Sequence, residues 1–247
     1  LVLAQCSSDS GSTAAAKPKK SAAAPAPAAL NRYVSLPAAS NSDESRCLEG
    51  IVSTLKEAEQ FFACGLTDIL YAVGMVPAKL PQVLALRRRG CDLKIITDNL
   101  ASAQAISAFC IEHQEQLEVW IEIDTDGHRS GVKPEDELLL QIGHALQDGG
   151  ACLGGVMTHA GSSYDFYRDD QLRHIAEQER AGAVRAAERL RAAGLPCPVV
   201  SVGSTPTALR TEHLTSLCSQ CPKCRTVTLT SITMCCITTG NLQFTVF

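Results

Sequence analysis

Between residues 50 and 202 the chain alternates two kinds of hydrophobic pattern. The first is a short apolar run. Asp68-Ile69-Leu70-Tyr71-Ala72-Val73 and Leu93-Lys94-Ile95-Ile96-Thr97 have the length and continuity of strands buried on both faces. Leu117-Glu118-Val119-Trp120-Ile121-Glu122-Ile123-Asp124 switches between apolar and acidic residues with period two, again a strand pattern. Cys152-Leu153-Gly154-Gly155-Val156-Met157-Thr158 and Pro198-Val199-Val200-Ser201-Val202 complete the set, and a weaker run, Gly50-Ile51-Val52-Ser53, precedes them.

The second pattern is helical. Thr54 with Glu57 forms a capping box that opens a helix stopped by Gly65. A segment over 81–89 closes at Gly90 in the same way. Residues 99–114 place Leu100, Ala103, Ile106 and Phe109 on one face. Pro134 suits the first turn of a helix reaching Gly149. Residues 172–193 carry Leu172, Ile175, Ala183, Val184, Ala187 and Leu190 at spacings of three and four, and end at Gly194.

Strand and helix in alternation imply an α/β fold with parallel strands joined by right-handed crossovers. Two architectures compete: an open doubly wound sheet and a closed barrel. Six strands are visible, and a complete barrel has eight. As a barrel the chain therefore lacks one strand at each end.

The flanks differ in composition. Residues 1–46 are low in complexity, and 7–29 consist almost entirely of Ser, Ala, Pro, Lys, Gly and Thr. Such a segment buries too little apolar surface to offset its ordering entropy, so it is expected to be a disordered leader, with a targeting leader as the competing reading. Residues 47–209 form the folded unit. Residues 210–247 are an atypical Cys/Thr-rich tail: after Glu212 no acidic residue follows, and the only charges are Lys223 and Arg225, with His213 neutral. Cys218-x-x-Cys221-x-x-Cys224 has a spacing found in zinc and iron–sulfur sites. No fourth ligand stands at a convincing distance unless Cys235 or Cys236 serves, so these thiols are expected to be incidental. The run 226–239 is β-prone and uncharged.

Charge narrows the function. With 22 Lys+Arg against 26 Asp+Glu the chain carries a net charge of −4, which offers no basic stripe to nucleic acid. No run of about 18 apolar residues occurs, so no membrane-spanning helix is expected. Of 12 cysteines, those outside the tail are scattered singly, which suits a reducing, cytoplasmic setting rather than a disulfide framework.

In parallel α/β folds chemistry gathers at the carboxyl ends of strands. Three consecutive ends here are polar and contain glycine: Asp124-Thr125-Asp126-Gly127-His128-Arg129-Ser130-Gly131-Val132, then Thr158-His159-Ala160-Gly161-Ser162-Ser163-Tyr164, then Ser201-Val202-Gly203-Ser204-Thr205-Pro206-Thr207. Gly203-Ser204-Thr205 looks like a phosphate cup, since glycine lets backbone N–H groups approach an anion and two hydroxyls add donors. Taken singly, each feature has a bland explanation. The Gly-Ser-Thr-Pro sequence can be a plain turn, His159 a satisfied structural histidine, and Arg129 the salt-bridge partner of Asp124 or Asp126. Their conjunction on one rim points to a site.

These segments, with Ile51-Val52-Ser53-Thr54-Leu55-Lys56-Glu57-Ala58-Glu59 and Asp68-Ile69-Leu70-Tyr71-Ala72-Val73, resemble the D-serine dehydratase / D-threonine aldolase family. That family belongs to the fold-type III pyridoxal-phosphate enzymes, whose N-terminal domain is similar to that of alanine racemase. The resemblance covers roughly residues 47–209. It implies a TIM-type (β/α)8 barrel followed by a β-domain, with pyridoxal 5′-phosphate as cofactor. The phosphate would sit at Gly203, Ser204 and Thr205, after the seventh barrel strand. Arg129 would approach the phenolic oxygen of the cofactor, and His159 and Tyr164 would line the pocket.

The chain departs from the family pattern in three places. The Schiff-base lysine, in a Pro-His-x-Lys-x-His-type motif on the first strand, has no counterpart, because Lys17, Lys19 and Lys20 lie in low-complexity sequence. The eighth strand is missing, and so is the C-terminal β-domain with its metal pair. Zinc is expected for the intact family, with its ligands absent here. The expectation is thus an incomplete barrel with strands 2–7 recognisable and no assigned catalytic residue. The implied function is lyase chemistry on small D-β-hydroxy amino acids: dehydration of D-serine to pyruvate and ammonia, or retro-aldol cleavage of D-threonine. The wording of the motifs lies nearer the dehydratases. The missing lysine and metal ligands would impair turnover, so the alternative is a non-catalytic protein that binds the cofactor or pairs with another subunit. Family resemblance also implies a homodimer.

Overall fold

The computed structural model describes residues 50–208 and Arg210, and the backbone of three short strands near the end of the chain, Thr226–Leu229, Cys236–Thr238 and Asn241–Gln243. The expected leader and the three spaced cysteines of the tail lie outside the described residues.

The six expected strands are all present: β1 Gly50–Val52, β2 Asp68–Gly74, β3 Asp92–Thr97, β4 Glu118–Ile123, β5 Cys152–Thr158 and β6 Val199–Val202. They pair in chain order and every pair is parallel. The helices between them are α1 Leu55–Ala63, α2 Leu80–Arg88, α3 Leu100–His113, α4 Glu137–Gln147 and α5 Asp169–Ala192. The Thr54 capping box is formed in full, with the Glu57 N–H donating to Thr54 Oγ1 and the Thr54 N–H donating to Glu57 Oε2.

The two faces of the sheet separate the competing architectures. One face packs with α1 to α5 in a single large core that includes Ile69, Ile95, Val119, Ile121, Ala103, Ile142 and Leu190. The other builds a small cluster of its own, Leu70, Ile96, Trp120 and Met157, one residue from each of four consecutive strands and none from a helix. A doubly wound sheet carries helices on both faces and reverses its strand order. A sheet in unbroken sequential order, with helices outside and strand side chains converging inside, is the wall of a barrel. Among the described strands that wall runs open.

Its far edge corrects one expectation. No eighth strand was expected beyond β6. Instead β7, Thr226–Leu229, lies parallel to β6 with Val199 opposite Thr226 and Val202 opposite Leu229. The Thr-Val-Thr-Leu alternation, which lacks charge and Pro, suits an added strand. Cys236–Thr238 and Asn241–Gln243 pair antiparallel in a separate small sheet.

Two helix starts also shift. Pro134 does not open α4. Asp136 caps it, accepting the Leu138 N–H at 2.9 Å, while the Pro134 carbonyl accepts a bond from Arg189 at 2.7 Å. Helix α5 begins at Asp169, where two acidic residues occupy its first turn.

Candidate functional site

The loop after β4 is shaped by Gly131. Its φ is +129°, and a Cβ there would stand 2.5 Å from the Asp124 nitrogen and 2.6 Å from the Ile123 carbonyl carbon. Only glycine allows this approach, through which the loop turns back on its own strand. The Asp124 N–H donates to the Val132 carbonyl at 3.0 Å and the Val132 N–H to the Glu122 carbonyl at 2.9 Å. The Gly131 N–H donates to Asp98 Oδ2, and Ser130 Oγ donates to the buried carboxylate of Glu122.

Arg129 stands in this loop. Its stem lies against Gly161, in the turn after β5. Its exposed guanidinium makes no hydrogen bond or ion pair among the described residues. The bland expectation of a salt bridge to Asp124 or Asp126 is therefore not met. Asp126 is occupied otherwise: its Oδ2 accepts both the N–H and the hydroxyl of Ser162, each at 2.8 Å. Burial raises its carboxyl pKa, but these bonds and that from the His128 N–H outweigh burial and leave it below the usual carboxylate range.

His159 ends β5 with 8% of its surface exposed, and its Nδ1 is buried without a hydrogen-bond partner. Its ring stacks on that of Tyr164, with centroids 5.8 Å apart and planes 21° from parallel. Burial first, and then the Arg129 charge, push its pKa down to about 4, while Asp126 and the Gly203 backbone act in the opposite direction. The imidazole is therefore neutral at neutral pH.

The turn after β6 starts at Gly203, with φ +134°. Ser204 is turned into the protein. Its hydroxyl lies 2.7 Å from Ser163 Oγ and 2.9 Å from Thr207 Oγ1, and its N–H donates to Thr207 Oγ1 at 2.9 Å. The Gly203 backbone contacts both His159 and Glu179. Of the three residues expected to form the cup, Thr205 is the one whose hydroxyl has no partner among the described residues.

The expected residues are thus neighbours. Arg129 and Gly203 both act on His159, Tyr164 stacks on it, and Ser204 is joined to Ser163. Glu179 was not anticipated. This α5 residue is 2% exposed, and its carboxylate accepts the Ala160 N–H at 2.6 Å and the Thr207 hydroxyl at 2.7 Å. Burial raises its pKa to about 6 against the pull of these bonds and one from the Gly203 backbone. The signal for it was present in the sequence: Glu179 falls in the apolar stripe of its helix, four positions after Ile175 and four before Ala183. Among the described residues no group of three or more His, Cys, Asp or Glu could hold a metal ion.

Among the described residues the rim thus carries an unpaired guanidinium, a neutral histidine with a buried unsatisfied nitrogen and a free hydroxyl at a glycine turn, a set of polar groups that suits an anionic ligand. The fold is an α/β half-barrel whose strand ends carry these residues on one rim. Residues 35–218 match the family model described as alanine racemase, N-terminal domain, and the chain belongs to that family.

The relatives agree. Over 164 residues the chain is 70% identical to the D-threo-3-hydroxyaspartate dehydratase of Delftia sp. (strain HT23), covering 66% of this chain and 43% of that one. A solved structure of the Delftia enzyme superposes with a TM-score of 0.66 at 69% identity, over 67% of this chain and 44% of the other. The D-serine dehydratase of Dictyostelium discoideum is 27% identical over 181 residues, which is 70% of this chain and 45% of the relative. The chain spans less than half the length of these relatives.

Proposed function

We propose that this chain supplies the coenzyme-gripping barrel wall of a pyridoxal-phosphate-dependent lyase acting on D-β-hydroxy amino acids, with dehydration favoured over aldol cleavage. The observation that carries this reading is the Arg129 guanidinium, without a partner among the described residues, beside neutral His159 and on the same rim as the Gly203 turn. The identity to a D-threo-3-hydroxyaspartate dehydratase supports the substrate class.

When bound, pyridoxal phosphate supplies an electron-accepting ring that weakens bonds at the amino-acid Cα. Arg129 would hold the phenolic oxygen as its anion, since a guanidinium so placed favours the charged form. Thr205 would donate to the ester phosphate, while Ser204 and Gly203 shape the turn beneath it. His159, neutral and with Nδ1 unsatisfied, can exchange one hydrogen bond with the ligand. Tyr164 shields one face of that imidazole.

The test is titration of the purified chain with pyridoxal phosphate. Trp120 is the sole tryptophan and lies in the inner cluster, so its fluorescence reports on that face of the sheet. Saturable quenching that weakens in Arg129→Ala is expected, and no saturable change in the wild-type chain overturns the reading. Saturation without release of ammonia from D-threo-3-hydroxyaspartate or D-serine would favour a coenzyme-binding or subunit-pairing role over catalysis.

A further inference from the structure

We infer that Glu179 is a positioning residue of this site, holding the turns after β5 and β6 in one register so that His159 and Thr205 address the same ligand. The inference rests on the pyridoxal-phosphate reading above.

The β5–β6 ladder ends at Met157 opposite Ser201. Beyond that pair the sheet no longer ties the two turns together, and a closed ring of hydrogen bonds does so instead. The Ala160 N–H donates to Glu179 Oε1, and the Thr207 hydroxyl donates to Glu179 Oε2. Thr207 Oγ1 accepts the Ser204 N–H, and the Ser204 hydroxyl meets that of Ser163 at 2.7 Å. Ser163 Oγ then donates to the Ala160 carbonyl at 2.7 Å, which returns the ring to its start. Every member is buried.

A carboxylate is a costly choice for this position. No Lys or Arg among the described residues pairs with it, and a buried, unpaired charge is expensive. An apolar side chain would fill the helix stripe more cheaply. What it could not do is accept one hydrogen bond from each turn at once. The two oxygens of Glu179 reach residues 19 and 28 positions away in sequence, one in each turn. The ring also explains why the Ser204 hydroxyl faces inward: it fixes the turn rather than meeting the ligand.

The test compares affinity for pyridoxal phosphate with affinity for pyridoxal, which lacks the phosphate arm, in the wild-type chain, Glu179→Ala, Glu179→Gln and Thr207→Val. Thermal midpoints and far-ultraviolet circular dichroism are recorded alongside. Loss of the ring should cut the preference for the phosphorylated ligand about tenfold in Glu179→Ala and Thr207→Val, the scale of one buried hydrogen bond. Glu179→Gln should keep the preference, because its amide oxygen can accept the Ala160 N–H while its NH2 donates to Thr207 Oγ1. A purely structural role would lower the midpoint and leave the preference unchanged. Should Glu179→Ala fail to fold, Thr207→Val decides. An unaltered preference in the folded variants overturns the inference alone. A wild-type chain with no preference for the phosphorylated ligand overturns both the inference and the reading on which it rests.

Discussion

The Arg129 stem rests on the backbone of Gly161, so closely that a Cβ on Gly161 would stand 2.7 Å from Arg129 Cγ and 3.0 Å from Cδ. Gly161 has no positive φ, so alanine is conformationally acceptable there. Gly161→Ala should therefore fold normally and push the arginine aside. The expected loss of pyridoxal-phosphate affinity is about tenfold, the worth of one charge-assisted hydrogen bond. Affinity equal to wild type, read by Trp120 quenching, would show that the placement of Arg129 does not matter.

Arg129→Ala itself should barely change stability, by roughly 0.5 kcal/mol or less, because the side chain is exposed and has no partner among the described residues. It should raise the His159 pKa, since the Arg129 charge is one of the causes holding it low. A proton NMR titration of the His159 ring checks this, and an unmoved or lowered pKa contradicts it.

His159 and Glu179 should oppose each other in the pH dependence of stability. His159 is held at about 4, below its ordinary 6.5. Its contribution is fully present above 6.5 and is lost as pH falls toward 4. Glu179 is raised to about 6 from 4.5, so its contribution is fully present below 4.5 and is lost as pH rises through 6. Between 4.5 and 6 the two slopes partly cancel. Glu179→Gln should expose the His159 slope, a loss on the order of 3 kcal/mol between pH 6.5 and 4. His159→Gln should leave a protein that gains stability as pH falls from 6 to 4.5. Urea unfolding at stepped pH measures both, and parallel profiles for the two variants would refute the assignment.

Gly131→Ala should be severe. It combines a positive φ with contact below 3.0 Å to backbone atoms that cannot swing away. A loss of roughly 2–4 kcal/mol is expected in denaturant unfolding. A loss below about 1 kcal/mol would mean that the loop relaxes freely.

At the opposite end of the strands, buried Lys94 bonds Asp68 Oδ1 at 2.5 Å and Asp92 Oδ2 at 2.9 Å. Contacts at that end of a barrel serve stability rather than chemistry. Lys94→Ala should cost on the order of 1–2 kcal/mol of stability by removing a buried cation shared by two partly exposed carboxylates, of which Asp92 keeps Arg87, and should leave pyridoxal-phosphate affinity unchanged. A change in affinity without a change in stability would reverse that division of labour.

Much of the architecture was open to reading because its signals are local. Each of β1 to β6 is an apolar or alternating run within a few residues, and Thr54 with Glu57 marks a helix start by chemistry confined to one turn. The loop motifs carrying Arg129, His159 and Gly203 are equally local, and they led to the family that the comparisons bear out. Pro134 misled because two start signals stand close together, and the Asp136 side chain outcompeted the proline by satisfying an orphan N–H.

The sequence by itself determined the order of the elements, the glycines on which the loops turn, and the rim on which the chemistry-bearing residues fall. Tertiary structure alone decided that Arg129 goes unpaired among the described residues, that Ser204 faces inward and that Glu179 binds two turns together. The physical reason is range. Hydrophobic periodicity is written within one element, whereas the contacts Ala160–Glu179, Thr207–Glu179 and Ser163–Ser204 join residues 19, 28 and 41 positions apart. Those contacts exist only once the strands have curled and α5 has settled against them.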